Sequence, residues 1–259
     1  MDLPDAIAVH AGDRRLINVV DGQSGAEVYR LVGANDDLYL KVGRGTAREL
    51  VVAEIARLQW LAGRIHAPVV IATATADDAE WLLTSAVPGV PAVDFIKVDR
   101  AVRSVSVARG MAAFLQRLHG LSTVDCPFDS SVAAWLPMVR RMVADGLVDV
   151  DDFDSAHEGW SAERVLAKVE ELAGHAQGAV VVHGDFALGN IIVAEDGTIA
   201  GCIDVGLLGV GDPYRDIFIG WRDLGGFGEA AQRAFLEALG MDGFDEPRRA
   251  LHHALDELL

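Results

Sequence analysis

The sequence predicts an α+β protein in two lobes, a small N-terminal antiparallel β lobe carrying one helix and a larger, mainly helical C-terminal lobe. Three observations predict it. Short apolar runs separated by turns rich in Gly and Asp fill residues 1–86, which is the strand signature. From about Pro91 the apolar residues recur at three- and four-residue spacing, as amphipathic helices require. Within that helical half, residues 180–216 hold two polar loops, each at the end of an apolar run, with a hairpin between them. The expected boundaries are 1–86 for the first lobe and 91–259 for the second, with residues 87–90 between them.

In the first lobe, 16–20 and 26–32 read as strands around a turn at 21–25, and a turn at 33–37 leads into a strand at 38–42. Two glycines around Ser24 would let backbone amides approach an anion closely. Residues 47–62 read as a helix with Val51, Ile55, Leu58 and Ala62 along one face. Glu54 lies beside that face, between Leu50 and Leu58. A carboxylate there needs a cation, and Lys41 in the third strand is the expected partner. Two further strands, 68–75 and 80–86, flank a turn at Asp77-Asp78, and residues 85–89 break the pattern.

In the second lobe, 100–121 reads as a core helix with Val105, Ala108, Met111, Leu115 and Leu118 on one face. His119 at its end reads as a capping or surface histidine. Residues 131–146 form a helix with Pro137 expected near a kink or start, 149–154 an acidic loop, and 161–174 a helix capped by Ser161. His157 and His175 show no partner spacing and read as structural or exposed. A strand at 179–182 opens the loop His183-Gly184-Asp185, which closes at Asn190. Strands at 191–194 and 198–203 meet at a tight turn, Asp196-Gly197, and the second ends in Asp204-Val205-Gly206. Asp212 as N-cap and Pro213 as first residue start the next helix, with Asp216 one turn in, where it can brace the loop. Arg222 and Asp223 end that helix, and helices at 229–240 and 246–259 complete the chain.

Asp185, then Asn190 after four residues, then a strand-end Asp204-x-Gly206, has the spacing of a kinase catalytic loop and its metal-binding aspartate. The residue types suit that chemistry. One carboxylate meets an attacking hydroxyl, while an amide oxygen and a second carboxylate hold magnesium, a hard ion that takes oxygen ligands. The segment resembles the aminoglycoside phosphotransferases through His183, Gly184, Asp185 and Asn190, then Ile203, Asp204, Gly206, Gly209, Asp212 and Asp216. The 3′-phosphotransferases of kanamycin and neomycin are the most similar group, and the resemblance runs the length of the chain.

That resemblance implies a protein-kinase-like fold whose first lobe binds nucleotide. It implies transfer of the γ-phosphoryl group of ATP, with GTP the alternative donor, to the 3′-hydroxyl of an aminoglycoside, giving resistance. By the same resemblance Asp185 is the catalytic residue, and Asn190 and Asp204 hold Mg2+. Lys41 and Glu54 form the strand-lysine to helix-glutamate pair at the phosphates, with Ser24 above them. The Ser85 carbonyl and Val87 amide read the adenine edge. Asp154, Arg222, Asp223, Asp256 and Glu257 are the implied substrate-binding residues. Four positions depart from the family pattern: Leu207 stands for an arginine, Ser155 and Gly226 for acids, and Leu258-Leu259 for two phenylalanines. They leave open a kinase of another hydroxylated small molecule, such as choline, methylthioribose or a macrolide, or a non-catalytic nucleotide binder.

Composition narrows the partners. A net charge of −17 excludes nucleic acid as the main partner, because no basic stripe exists to neutralise phosphates, and it suits a cationic small molecule. The two cysteines give neither metal spacing nor a disulfide framework. With no apolar run long enough to span a bilayer and no basic N-terminal segment, a cytoplasmic monomer or weak dimer is expected.

Overall fold

The structure, a computed structural model, describes residues 1–19, 25–33 and 36–259. In chain order the described elements are α1 (Asp5–Ala11), β1 (Arg15–Val19), β2 (Glu27–Val32), β3 (Leu38–Arg44), α2 (Thr46–Leu61), β4 (Val70–Ala76) and β5 (Ala79–Ser85). Then come β6 (Val90–Pro91), α3 (Ala92–Val98), α4 (Arg100–His119), α5 (Val132–Ala144), α6 (Ala162–Leu172), β7 (Val180–Val182), β8 (Ile191–Val193) and β9 (Ile199–Cys202). The chain ends with β10 (Gly209–Gly211), α7 (Tyr214–Gly225), α8 (Glu229–Leu239) and α9 (Glu246–Asp256). Packing groups these into two compact units: Met1–Ala92 with Gly189–Leu207, and Val93–Leu188 with Leu208–Leu259. The fold class is α+β, as expected, with an antiparallel sheet toward the N-terminus and helices toward the C-terminus.

The first unit is built on an antiparallel sheet in the order β1-β2-β3-β5-β4. Alternation along β3 sends Leu38, Leu40 and Val42 into a core with Ile7, Leu31, Trp81 and Leu83. The same alternation turns Lys41 to the other face, where α2 packs. Asp77 and Asp78 both take positive φ, 52° and 58°, as the two central residues of a type I′ hairpin must. The helix α1 is not expected from the sequence, because over seven residues only Ile7 and Ala11 are buried. A second sheet, β6-β8-β9, belongs to this unit. Gly89 makes it feasible: at φ 137°, a Cβ there would lie 2.3 Å from the Val193 carbonyl oxygen, across the β6–β8 pair.

The buried stripe of α2 differs from the expected one. It runs through Ala47, Val51, Glu54, Leu58 and Leu61, while Leu50 is exposed. Glu54 therefore sits inside the stripe rather than beside it, a place a carboxylate tolerates only with a cation at hand.

In the second unit α4 carries Val107, Ala108, Met111, Phe114, Leu115 and Leu118 fully buried, and it packs along α8. The helix α6 packs on α9, and β7 pairs antiparallel with β10. Pro137 lies in the interior of α5 rather than at its start. α7 begins one residue later than expected, with Pro213 at the cap and the Asp212 Oδ1 accepting from Tyr214 N at 2.9 Å. Among the described residues no helix is long and apolar enough to cross a membrane.

Candidate active site

Three groups of polar side chains stand out, one in the first unit and two in the second. The first gathers Lys41 of β3, Glu54 of α2 and Asp204, two residues past β9. Lys41 Nζ lies 2.5 Å from Glu54 Oε2 and 3.0 Å from Asp204 Oδ1. Burial works to lower the Lys41 pKa, but Glu54 and Asp204 outweigh it and the net shift is upward, so the ammonium stays charged at neutral pH. Asp204 adopts φ 57°, a region that residues other than glycine rarely occupy and that clusters at functional sites. Its side chain is 47% exposed with Oδ1 on Lys41, so it can offer oxygen to a hard cation. The Asn190 carbonyl accepts from Ile203 N at 2.9 Å, which ties the start of β8 to the segment carrying Asp204. Ser85 ends β5 with its amide and hydroxyl both bonded to Val69, and Val87 follows half-buried. Ser24 lies outside the described residues.

The second group surrounds the loop after β7. Asp216 is fully buried on α7, and its two oxygens accept from His183 N at 2.8 Å and Gly184 N at 2.9 Å. His119 Nε2 lies 3.0 Å from Asp216 Oδ2, so this histidine is neither a cap nor a surface group. Burial alone would raise the Asp216 carboxyl; His119, together with His183 and its backbone N–H, holds it below the usual range. Gly184 itself sits at φ 88°, which suits glycine. Asp185 N donates to His183 Nδ1 at 3.3 Å, so His183 supports the loop from inside it.

Arg215 is the residue that sequence reasoning missed here. It is 3% exposed, donates from Nε to the Gly184 carbonyl at 2.8 Å, and places Nη1 2.8 Å from Asp256 Oδ1. That second contact is an ion pair without hydrogen-bond alignment. Burial pushes the guanidinium down to about 10, against the pull of Asp185 and Asp216. Its signal in the sequence was a cation inside an otherwise buried run beside Asp216.

The expected substrate-binding residues fall into two sets. Arg222 pairs with Asp256 and with Asp223 Oδ1, while Asp223 Oδ2 accepts from Leu188 N at 3.0 Å. Together with Arg215 these side chains link α7, α9 and the loop after β7. Asp154 and Glu257 instead form the third group with two histidines. His253 Nε2 lies 2.5 Å from Asp154 Oδ2, and His157 Nδ1 lies 2.9 Å from Glu257 Oε1. Burial lowers the His253 pKa against the pull of Asp154. Burial acts to raise Asp154, but the Ala156 N–H and His253 prevail and its pKa is lowered. His157 is buried with a defined partner, and the spacings Asp154-x-x-His157 and His253-x-x-x-Glu257 were its signal.

Comparison with known proteins places these groups in context. A family model described as a phosphotransferase enzyme family, APH, matches residues 17–252. An aminoglycoside 3′-phosphotransferase of Escherichia coli is 38% identical over 259 residues, covering 99% of this chain and 94% of its own. Another from Streptomyces fradiae is 36% identical over 254 residues, covering 92% and 93%. The crystal structure of an aminoglycoside-3′-phosphotransferase of type VIII superposes with a TM-score of 0.85 at 33% identity, over 98% of both chains. The phosphotransferase APH(3″)-Id from Streptomyces rimosus, solved with ADP and streptomycin, gives 0.83 at 28% identity over 98% and 96%.

Proposed function

The chain belongs to the APH phosphotransferase enzyme family, and we propose that it transfers the γ-phosphoryl group of ATP to the 3′-hydroxyl of an aminoglycoside. The observation that carries the reading is the Lys41–Glu54–Asp204 cluster, a cation held between two carboxylates on β3, α2 and the end of β9. The names of the relatives support the substrate class, and the ADP bound by one of them supports an adenine nucleotide as donor. None of the relatives described above points to GTP.

In this reading Asp185 accepts a hydrogen bond from the attacking hydroxyl and orients it. Phosphoryl transfer passes through a loose transition state, so positioning and charge neutralisation supply most of the rate. Lys41, kept charged by Glu54, contacts the phosphates of the nucleotide. The Ser85 carbonyl and Val87 amide receive the adenine edge, and Ser24 lies over the phosphates. Asn190 and Asp204 offer an amide and a carboxylate oxygen, a donor set that fits magnesium. When bound, the ion neutralises charge on the transferring phosphates. Asp154, Arg222, Asp223, Asp256 and Glu257 meet the ammonium and hydroxyl groups of the substrate. Two cysteines in the thiol form and the use of a cellular nucleotide fit a place in the cytoplasm.

A coupled ADP-release assay with magnesium-ATP tests this. Kanamycin and neomycin should turn over, tobramycin, which lacks the 3′-hydroxyl, should not, and Asp185→Ala should lose at least about 1,000-fold in kcat. Turnover of tobramycin would move the acceptor to another hydroxyl. Silence on all three, with choline or methylthioribose accepted, would overturn the assignment.

A further inference from the structure

Asp154, His157, His253 and Glu257 offer four ligand atoms that all lie within 4.8 Å of one another. With Asp154 Oδ2 and Glu257 Oε1 as the carboxylate ligand atoms, their contacts with the histidine nitrogens measure 2.5, 2.9 and 3.6 Å. A tetrahedron with bonds of about 2.0 Å has edges of about 3.3 Å, so these distances straddle what four-coordinate zinc needs. We propose that these residues form a site for a divalent transition metal of the zinc class, separate from the Asn190 and Asp204 oxygens.

The donor set decides the class of ion. Two imidazole nitrogens with two carboxylates suit zinc and its first-row neighbours, whereas magnesium prefers oxygen alone. The surroundings are those of a built site. Asp154 Oδ1 accepts from Ala156 N at 2.8 Å, leaving Oδ2 toward His253. Glu257 is held by Asp154 N, at 3.2 and 3.3 Å to its two oxygens. Such outer hydrogen bonds fix the orientation of ligating carboxylates. The two imidazoles are 4.6 Å apart at 70°, with Trp160 edge-on to His157 at 5.1 Å and Phe218 tilted against His253 at 4.9 Å. Aromatic walls therefore set both rings while their nitrogens face the same two carboxylates. Occupancy would neutralise two carboxylates given above to the substrate's ammonium groups. That consequence rests on the proposed function; the metal site itself does not.

The test uses chelator-stripped full-length protein without nucleotide, titrated with Zn2+ by calorimetry and with Co2+ by visible absorption. The expected result is one equivalent bound, with the intense d–d bands of tetrahedral cobalt, and the same behaviour in Asp204→Asn. Asp154→Asn, at a half-exposed position, and His253→Gln should each weaken binding by more than about 100-fold, beyond what losing an outer partner costs. Circular dichroism and a thermal melt check that each variant is folded. Absence of binding, octahedral-type weak bands, or equal affinity in folded Asp154→Asn would overturn the site. Loss of binding in Asp204→Asn alone would place the ion at the phosphate site and overturn it too. Failure to phosphorylate aminoglycosides, with zinc still bound, would remove the function and leave the site standing.

Discussion

At the scale of single residues, the Lys41–Glu54 pair shows how stability and chemistry share one contact. Glu54 is 6% exposed within the buried stripe of α2, so its charge is tolerated because Lys41 lies 2.5 Å away. Replacing Lys41 by Met removes the cation beside that carboxylate, and breaking a buried pair costs about 3–5 kcal/mol. Replacing both partners by neutral residues removes both charges and is close to neutral for folding. The expected outcome is that Lys41→Met lowers the urea midpoint sharply, that Lys41→Met with Glu54→Gln recovers most of the loss, and that neither restores ADP release. A double variant that stays as unstable as the single one would show that Lys41 stabilises through packing instead. The Lys41 pKa is raised on folding, so its contribution is complete below the unfolded value and fades only as pH climbs through the folded one. A neutral assay therefore sees the pair in full.

At the scale of elements, what the sequence revealed depended on the distance over which it had to speak. The strands around β3, the helix α2 and the hairpin of β8 and β9 were legible because each is set by its own alternation or turn. Lys41 with Glu54 was legible because a buried acid thirteen residues past a strand lysine asks for it. Contacts that join distant helices were not. His119 meets Asp216 across 97 residues and His253 meets Asp154 across 99, and no local period encodes the register of one helix on another. Asp212 belongs to the same class. Its oxygens take Gln177 N at 2.8 Å and Tyr214 N at 2.9 Å, and it pairs with Arg248, tying the approach to β7 to α7 and α9. His252 Nε2 stands 3.3 Å away without hydrogen-bond alignment. Burial works to raise the Asp212 carboxyl, but His252 and Arg248, with the Gln177 N–H, bring it from 3.8 down to about 2. A depressed carboxyl stabilises the fold above its unfolded pKa and loses that contribution as pH falls through the folded value. The shift corresponds to about 2 kcal/mol. Urea midpoints should therefore drop in wild type between about pH 4 and 2, and Asp212→Asn should begin lower at pH 6 and fall less over that range. Equal slopes in the two proteins would assign the acid loss to other carboxylates.

At the scale of the whole molecule, the net charge of −17 acts on the two proposed substrates with opposite signs. A cationic aminoglycoside is drawn toward the protein from beyond contact range, while magnesium-ATP, still an anion, is repelled. Added salt shortens the reach of both effects, with the screening length falling from about 10 Å at 0.1 M to about 3 Å at 1 M. Ser155 and Gly226 stand where the family pattern has acids, so fewer contacts within the proposed pocket resist screening, and the long-range share of the attraction is larger. Raising potassium chloride from about 0.05 to 0.5 M should therefore increase the KM for kanamycin several-fold, leave kcat nearly unchanged, and lower or leave level the KM for magnesium-ATP. The opposed responses separate charge steering from a general effect of salt on the protein, since a loosened fold would impair both substrates and kcat together. A kanamycin KM indifferent to salt would mean that close contacts at Asp154, Asp256 and Glu257 carry recognition alone, and that the acidic surface at large plays no part in it.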